Sequence, residues 1–368
     1  MISLINFKRQ STIYKNKILS GINQNIQKGD FILGKNVSLL EKKIAKYVNS
    51  KYCLTCSSGT DALLMSLMAH NIKVNDIVIT TVYSYISTAE VIKLLGAIPV
   101  FVDIDPNTYN IDPLKLENLI QNIKEKKFTS NIPTVLKKSK KVNLRGIIGV
   151  NLFGNPYDYK KISNIAKKNK LFLIEDAAQS FGAKYRTKFS GTLGDISCFS
   201  FYPTKSLSCY GDGGAITTNN KKLFNLIKSI RVHGKSNTGG NFDRLGLTGR
   251  LDTIQATVLL EKLKKFKIEQ NSRIKVARIY NDAFKDYKYI KTQKVQKFSK
   301  STYSVFSIEF TTKNFKNKVL KNLEKNKIGF NIYYKKPMHL EKVFKEYNLK
   351  KNDFPISEKL SQNILSIP

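Results

Sequence analysis

The chain has 368 residues, 41% of them hydrophobic, and its 63 Lys and Arg against 27 Asp and Glu leave a net charge of +36. That length carries two domains, or one large domain with an appendage, and the apolar share is ample for a core. No run approaches the roughly 20 apolar residues that cross a bilayer, and MISLINFKRQ lacks the apolar stretch of a signal peptide, so a soluble, cytoplasmic protein without membrane insertion is expected.

The charge alone points to nucleic acid. The lysines, however, are spread along the whole chain on the polar positions of helical patterns such as KKIAKY and LEKLKKFKIEQ. No nucleic-acid-binding signature accompanies them, and no nucleic-acid partner is expected. A positive field would still draw in an anionic substrate such as a nucleotide. Cys53 and Cys56 form a C-x-x-C, but Cys53 lies within an apparent strand, and Cys198 and Cys209 do not repeat the spacing. Buried free thiols are expected, and no metal.

Met1 to about Lys35 reads as irregular, with turns at Gly29-Asp30 and Gly34. Val37, Leu40, Ile44 and Val48 then mark one face of a helix. Tyr52 to Cys56 is a short strand running into Ser57-Ser58-Gly59-Thr60-Asp61-Ala62, with a helix from about Ala62 to His70. Small residues where a helix begins leave backbone N–H groups free to cup a phosphate. A strand to Thr80, a polar-aromatic loop and a helix from near Thr88 follow; Tyr85 in that loop could cover a flat ring or fill the core. Gly96 ends that helix and Pro99 to Asp103 is another buried-type strand. Strand, helix, strand in this rhythm predicts parallel pairing with helical crossovers.

From Gln121 to Leu144 the pattern breaks into a helix end and a lysine-rich surface excursion, read as a solvated loop or an anion or partner contact. The sheet resumes at Arg145, a helix runs from about Tyr157 to Lys168, and LFLIEDAAQSFGA then delivers Asp176 at the carboxyl end of a buried-type strand. A carboxylate so placed can keep a pyridine nitrogen protonated, which makes the ring an electron sink. Some twenty-five residues on, SCFSFYPTKSLSCYGDGGA carries Lys205 on a Pro-Thr-Lys turn between an apolar strand and a glycine-rich return. An amine there suits a Schiff-base lysine at the ends of a sheet. A helix from Lys221 to Ile230 ends in RVHG, whose His233 is either a general base or a structural donor. Gly234 to Gly249 is glycine-rich and mobile in character, and RLDTIQATVLLEKL opens a long helix. The tail from Asn271 alternates helix (to about Phe284), strand (Tyr303 to Phe310), helix and strand (Ile328 to Tyr333), a smaller α/β lobe.

In combination, SSGTDAL, EDAAQSFGA, SFYPTKSLSCYGDGGAI, IRVHG, GRLDTIQA and YYKKPMHL resemble the DegT/DnrJ/EryC1/StrS sugar aminotransferases over nearly the full length. The resemblance implies an α/β pyridoxal-phosphate-dependent transferase of fold type I. Its large domain (1–245) would hold a mixed seven-stranded sheet, its smaller C-terminal α/β domain would span 246–368, and a homodimer would share its active sites. It implies Lys205 as the catalytic Schiff-base lysine, Asp176 as partner of the pyridine nitrogen and Gln179 near the ring hydroxyl. Gly59, Thr60 and Ser200 fall on phosphate-binding positions and Tyr85 over the ring. Arg250 matches a residue that reaches across the dimer interface. Two positions before it, where relatives carry a phosphate-binding Asn, this chain has Thr248, whose hydroxyl could still serve. Arg250, Tyr333, Tyr334 and His339 are candidates for the sugar carboxylate.

Relatives that lack the lysine and use His are dehydratases; with Lys205 present, transamination from an amino-acid donor, glutamate in most relatives, to a nucleotide ketosugar is expected. The RLDTIQA form, with Gly249 where C-4 enzymes more often carry Tyr, resembles the C-3 branch. Within it the chain is most similar to enzymes acting on UDP-2-acetamido-2-deoxy-3-oxo-glucuronate for surface polysaccharide such as the O-antigen of lipopolysaccharide. The alternatives are C-4 amination of a 4-keto-6-deoxy sugar and a non-catalytic regulatory or nucleic-acid-associated protein on the same fold. Family members commonly run on beyond LSIP, which leaves open whether this chain is truncated.

Overall fold

The structure, a computed structural model, describes residues 2–138, 143–236 and 240–368. Its centre is a seven-stranded mixed sheet in the order β1-β9-β8-β5-β4-β2-β3. The strands are β1 (Tyr52–Cys56), β2 (Asp76–Thr81), β3 (Ile98–Val102), β4 (Asn143–Val150), β5 (Phe172–Asp176), β8 (Ile196–Ser200) and β9 (Gly214–Thr218). Only β9 runs against the rest, pairing antiparallel with both β1 and β8, while β2–β3, β2–β4, β4–β5 and β5–β8 are parallel. The strands β1, β2, β4, β5 and β8 therefore end at one edge of the sheet, where open α/β sheets bind their ligands.

Why these strands read as unbroken apolar runs is plain from their burial. Ile77, Ile79, Ile147 and Leu173 pack on one face against α5 (Pro113–Lys124) and α6 (Tyr159–Lys168). Their neighbours Val78, Ile148 and Ile174 face the other way, against α3 (Gly59–Ala69), α4 (Ser87–Leu94) and α7 (Lys221–Ile230). A sheet covered on both faces needs apolar side chains at every position. α2 (Lys35–Val48) covers β1 with the four residues anticipated for its inner face.

A second sheet, β10 (Ile290–Thr292), β12 (Phe306–Phe310) and β13 (Ile364–Ile367), packs with α9 (Lys313–Lys325) in the C-terminal lobe, and α10 (Pro355–Asn363) leads into β13. A third, β6 (Lys184–Tyr185), β7 (Lys188–Phe189) and β11 (Ser299–Lys300), is short. The helix α8 (Thr253–Phe284) runs unbroken for 32 residues. Its start, at Ala256, Leu259 and Phe266, lies in the core beside β8. Its end, at Ala277, Tyr280 and Phe284, lies in the core of the C-terminal sheet.

Four expectations need correction. Residues Met1 to Lys35 are not irregular: α1 (Phe7–Lys28) occupies most of them. It has no acidic first turn to announce it and, among its described side chains, buries a narrow apolar stripe, Tyr14 and Ile18, against Val258 of α8, with the buried Asn25 donating from Nδ2 to Thr257 Oγ1 at 2.7 Å. No strand forms at Ile328–Tyr333. Asn331 makes an isolated antiparallel bridge to Ser366 of β13 and Ile328 an isolated parallel one to Ile2, single contacts that do not extend into a strand, and β13 itself pairs with β12. The strand expected over Tyr303–Phe310 is confined to Phe306–Phe310. The Gln121–Leu144 segment is not all surface excursion, since Ile132 and Leu136 are buried in the main core; its residues 139–142, like 237–239 of the glycine-rich stretch, lie outside the described residues.

All four cysteines are buried free thiols. Among the described residues no helix is long and apolar enough to cross a membrane, and no group of three or more His, Cys, Asp or Glu could hold a metal.

His70, after α3, stacks on Phe172 with ring centroids 4.2 Å apart. Burial lowers its pKa from 6.5 to about 4, Arg145 pushing the same way and Asp195 opposing. Between pH 6.5 and about 4 the unfolded chain therefore binds a proton that the folded chain refuses, and stability falls as pH drops through that window. His70→Phe keeps the stack without the titration and should flatten that part of the stability–pH curve in urea melts.

Candidate active site

The strand ends open onto a cavity of about 860 Å³. β5 delivers Asp176 to it, whereas strand alternation turns the adjacent Glu175 away. Glu175 is fully buried and accepts from Asn151 Nδ2, Ser190 Oγ, Gly191 N, Leu193 N and Ser197 Oγ, so it is spent on structure. Asp176 keeps open capacity. Oδ2 accepts from Thr88 Oγ1 at 2.8 Å and Oδ1 from Ala178 N at 3.1 Å, each oxygen having a second lone pair.

Lys205 follows β8 on a turn closed by its own N–H to Tyr202 O at 2.8 Å. Its side chain and Asp176 line the same cavity. Burial lowers the Lys205 pKa, and Asp176 opposes that shift. Burial raises the pKa of Asp176 against the hydrogen bonds from Thr88 and Ala178 and the charge of Lys205. In both, desolvation outweighs mutual attraction, so the amine is held closer to its neutral, nucleophilic form.

At the end of β1 the chain passes into α3 through Ser58, whose Oγ accepts from Asp61 N at 2.9 Å as the helix cap. Gly59 and Thr60 form the first turn and line the cavity together with Ser200. Glycine is required at 59, because a Cβ there would stand 2.7 Å from Ser200 Cβ. This combination of first-turn backbone groups, a serine hydroxyl and a close approach only glycine allows fits a phosphate.

Gln179 also faces the cavity, its amide oriented by two bonds: Oε1 accepts from Phe153 N at 2.7 Å and Nε2 donates to Tyr334 Oη at 3.0 Å. Tyr333 and Tyr334 line the wall. Tyr85 is 57% exposed on it, its ring centroid 6.3 Å from that of Tyr334; it is a cavity residue, not core.

Four further candidates lie elsewhere. Thr248 Oγ1 and His233 Nε2 hydrogen-bond at 2.9 Å on an exposed loop, and neither they nor Arg250 line the cavity of their own chain. His339 is only 2% exposed, pairs with Glu358 at 3.2 Å and packs on Phe354. Its place as a ligand for the sugar carboxylate is therefore withdrawn: burial and Glu358 give it a structural task. Sequence reading missed Thr88, Ser84, Asp212, Arg273 and Asn331 as residues of the site. The sequence puts Thr88 at a helix start, but nothing local says that its hydroxyl meets a carboxylate 88 positions away.

A buried acid and a half-buried amine facing one cavity, beside a helix start shaped for phosphate, fit pyridoxal phosphate and define a pyridoxal-phosphate enzyme of the aminotransferase class. The chain belongs to the DegT/DnrJ/EryC1/StrS aminotransferase family, which it matches over residues 12–368. It is 37% identical, over all of its length and 95% of the relative's, to the UDP-2-acetamido-2-deoxy-3-oxo-D-glucuronate aminotransferase of Pseudomonas aeruginosa. It is 34% identical, over all of its length and 94% of the relative's, to the dTDP-3-amino-3,6-dideoxy-alpha-D-galactopyranose transaminase of Aneurinibacillus thermoaerophilus. It superposes on the crystal structure of a family aminotransferase from Brucella abortus with a TM-score of 0.91 at 37% identity, covering all of this chain and 94% of that one. The protein is a nucleotide-sugar aminotransferase that uses pyridoxal phosphate.

Gly59→Ala should lower stability by about 1–3 kcal/mol in urea denaturation, the usual cost of overpacking, and should weaken retention of the cofactor on gel filtration.

Proposed function

We propose that this enzyme transfers an amino group from glutamate to C-3 of a nucleotide-linked 3-ketosugar, the 3-oxo derivative of UDP-2-acetamido-2-deoxy-glucuronate, for surface polysaccharide. The observation that carries the chemistry is the single cavity shared by Asp176 and Lys205. The choice of C-3 is supported by the two relatives above, whose names place their reactions at that carbon. Gly249 adds to it: a Cβ there would lie 2.9 Å from Met65 Sδ, so a Tyr at this position, as in C-4 enzymes, would require Met65 to move.

Pyridoxal phosphate, when bound, supplies an electron sink for the charge left at the donor α-carbon. Lys205 would hold it covalently, and its Nζ would move the proton at the donor α-carbon, a task its depressed pKa suits. Asp176 would keep the ring nitrogen protonated. Gly59, Thr60 and Ser200 would hold the phosphate, Tyr85 would cover one ring face, and Gln179 would meet the ring hydroxyl. Tyr333 and Tyr334 stand where the sugar enters.

A homodimer is part of this proposal. Leu245 at 88% exposure and Phe242 at 67% shortly precede Thr248 and Arg250 in the chain, and among the described residues Arg250 Nε is buried with no hydrogen-bond partner. A second subunit covering these apolar side chains would bring Thr248 and Arg250 to its own phosphate and sugar. We assign the enzyme to the cytoplasm and take 1–245 and 246–368 as its two domains.

Incubation with glutamate and a panel of 3-keto and 4-keto nucleotide sugars, read by mass spectrometry, should give amination of the 3-keto uronate. Conversion confined to the 4-keto sugars would overturn the position while leaving the class intact. Lys205→Ala should lower turnover by at least about 10²–10⁴-fold, as loss of a general acid–base does.

A further inference from the structure

The strip of chain that follows Lys205 is gripped along one side by α8. Alternate residues 206, 208 and 210 face the helix. Arg273 Nη2 donates to Ser206 O at 3.4 Å. Lys262 Nζ donates to Ser208 O at 2.8 Å and to Ser208 Oγ at 3.1 Å. Gln255 Oε1 accepts from Tyr210 N at 2.8 Å. Numbers rise along the strip as they fall along the helix, so the two run antiparallel and the three contacts fix one register. From the other side Cys209 N donates to Phe201 O at 2.7 Å, and Leu207 and Cys209 are buried in the core beside β8.

Lys262 is the unusual member. It is only 3% exposed, and its Nζ sits 4.4 Å from the ring centroid of Tyr210. Among the described residues no carboxylate forms an ion pair with it. Burying an ammonium without a counter-charge is costly even when it is hydrogen-bonded, and a Leu or Met would fill the same place at less cost. The ammonium does what neither of those could: it ties a backbone carbonyl, a hydroxyl and a ring of one short strip to one point on a helix.

We propose that Lys262 is a positioning residue for the reaction, holding the strip 206–210 in register and thereby setting where the Lys205 amine stands opposite Asp176. This rests on the reading of Lys205 given above. The same helix continues into the core of the C-terminal sheet through Ala277, Tyr280 and Phe284, so the strip is anchored to the element that joins the two cores.

The test compares Lys262→Met, which keeps length and loses every donor, with Lys262→Arg, which restores donors. Amide hydrogen exchange over residues 206–210 is measured in cofactor-free protein, and steady-state kinetics and the pH titration of the visible absorbance are measured in loaded enzyme. In Lys262→Met, exchange in the strip should quicken while β8 stays protected. Its kcat should fall about 10- to 100-fold, as small misplacements of a reacting group cost, with KM for the sugar unchanged and the absorbance titration shifted. Lys262→Arg should recover most of each. Wild-type exchange, or quickened exchange with kcat and titration unchanged, overturns the proposal. Should Lys262→Met fail to fold, Gln255→Leu measured in the same way decides it: the same pattern supports the register, and wild-type behaviour overturns it. Failure of the underlying reading shows separately, as wild-type protein that takes up no pyridoxal phosphate.

Discussion

A carboxylate and an amine share one desolvated cavity at the ends of parallel strands, and the rest of the structure serves that placement. Neither group would sit there by preference. Burial drives Asp176 up and Lys205 down, so the site is built from two side chains displaced toward their neutral forms. What holds them is the sheet. β5 and β8 are hydrogen-bonded neighbours, with Asp176 level with Cys198. Backbone pairing thus brings the start of the Lys205 turn next to the acid without calling on either charge.

The same sheet explains how two adjacent acids come to differ. Glu175 and Asp176 are consecutive on β5, so the pleat sends them to opposite faces. Glu175 meets five donors, four in the 190–197 region and Asn151; it ties β5 to the next loop and has nothing left for a ligand. Asp176 meets two donors and the cavity. A carboxylate that is saturated belongs to the fold, and one that is not is free for chemistry.

Much of this was legible in the residues. Strands buried on both faces announce themselves as apolar runs, and β1 was placed at its observed bounds, as was α7 beside the sheet. Lys205 and Asp176 stood out because each closes such a run among small residues. What escaped was whatever depends on a partner far along the chain. α1 buries a stripe too narrow to see until α8 is beside it. The segment Ile328–Tyr333 has the residues of a strand but pairs through single bridges, to Ile2 and to Ser366 of β13, far along the chain. Thr88 and Arg273 reach the site from elements whose local patterns say only helix. His339 shows the reverse: beside the two tyrosines that do line the cavity, it looks functional in the sequence and is buried against Glu358 in the fold.

The site therefore has one focal atom, the side-chain nitrogen of Lys205. Its identity is open to direct chemical capture: load the protein with pyridoxal phosphate, reduce with borohydride, digest, and locate the pyridoxyl group by mass spectrometry. The account requires that group on the peptide containing Lys205. A pyridoxyl group on any other lysine, or on none, would contradict it.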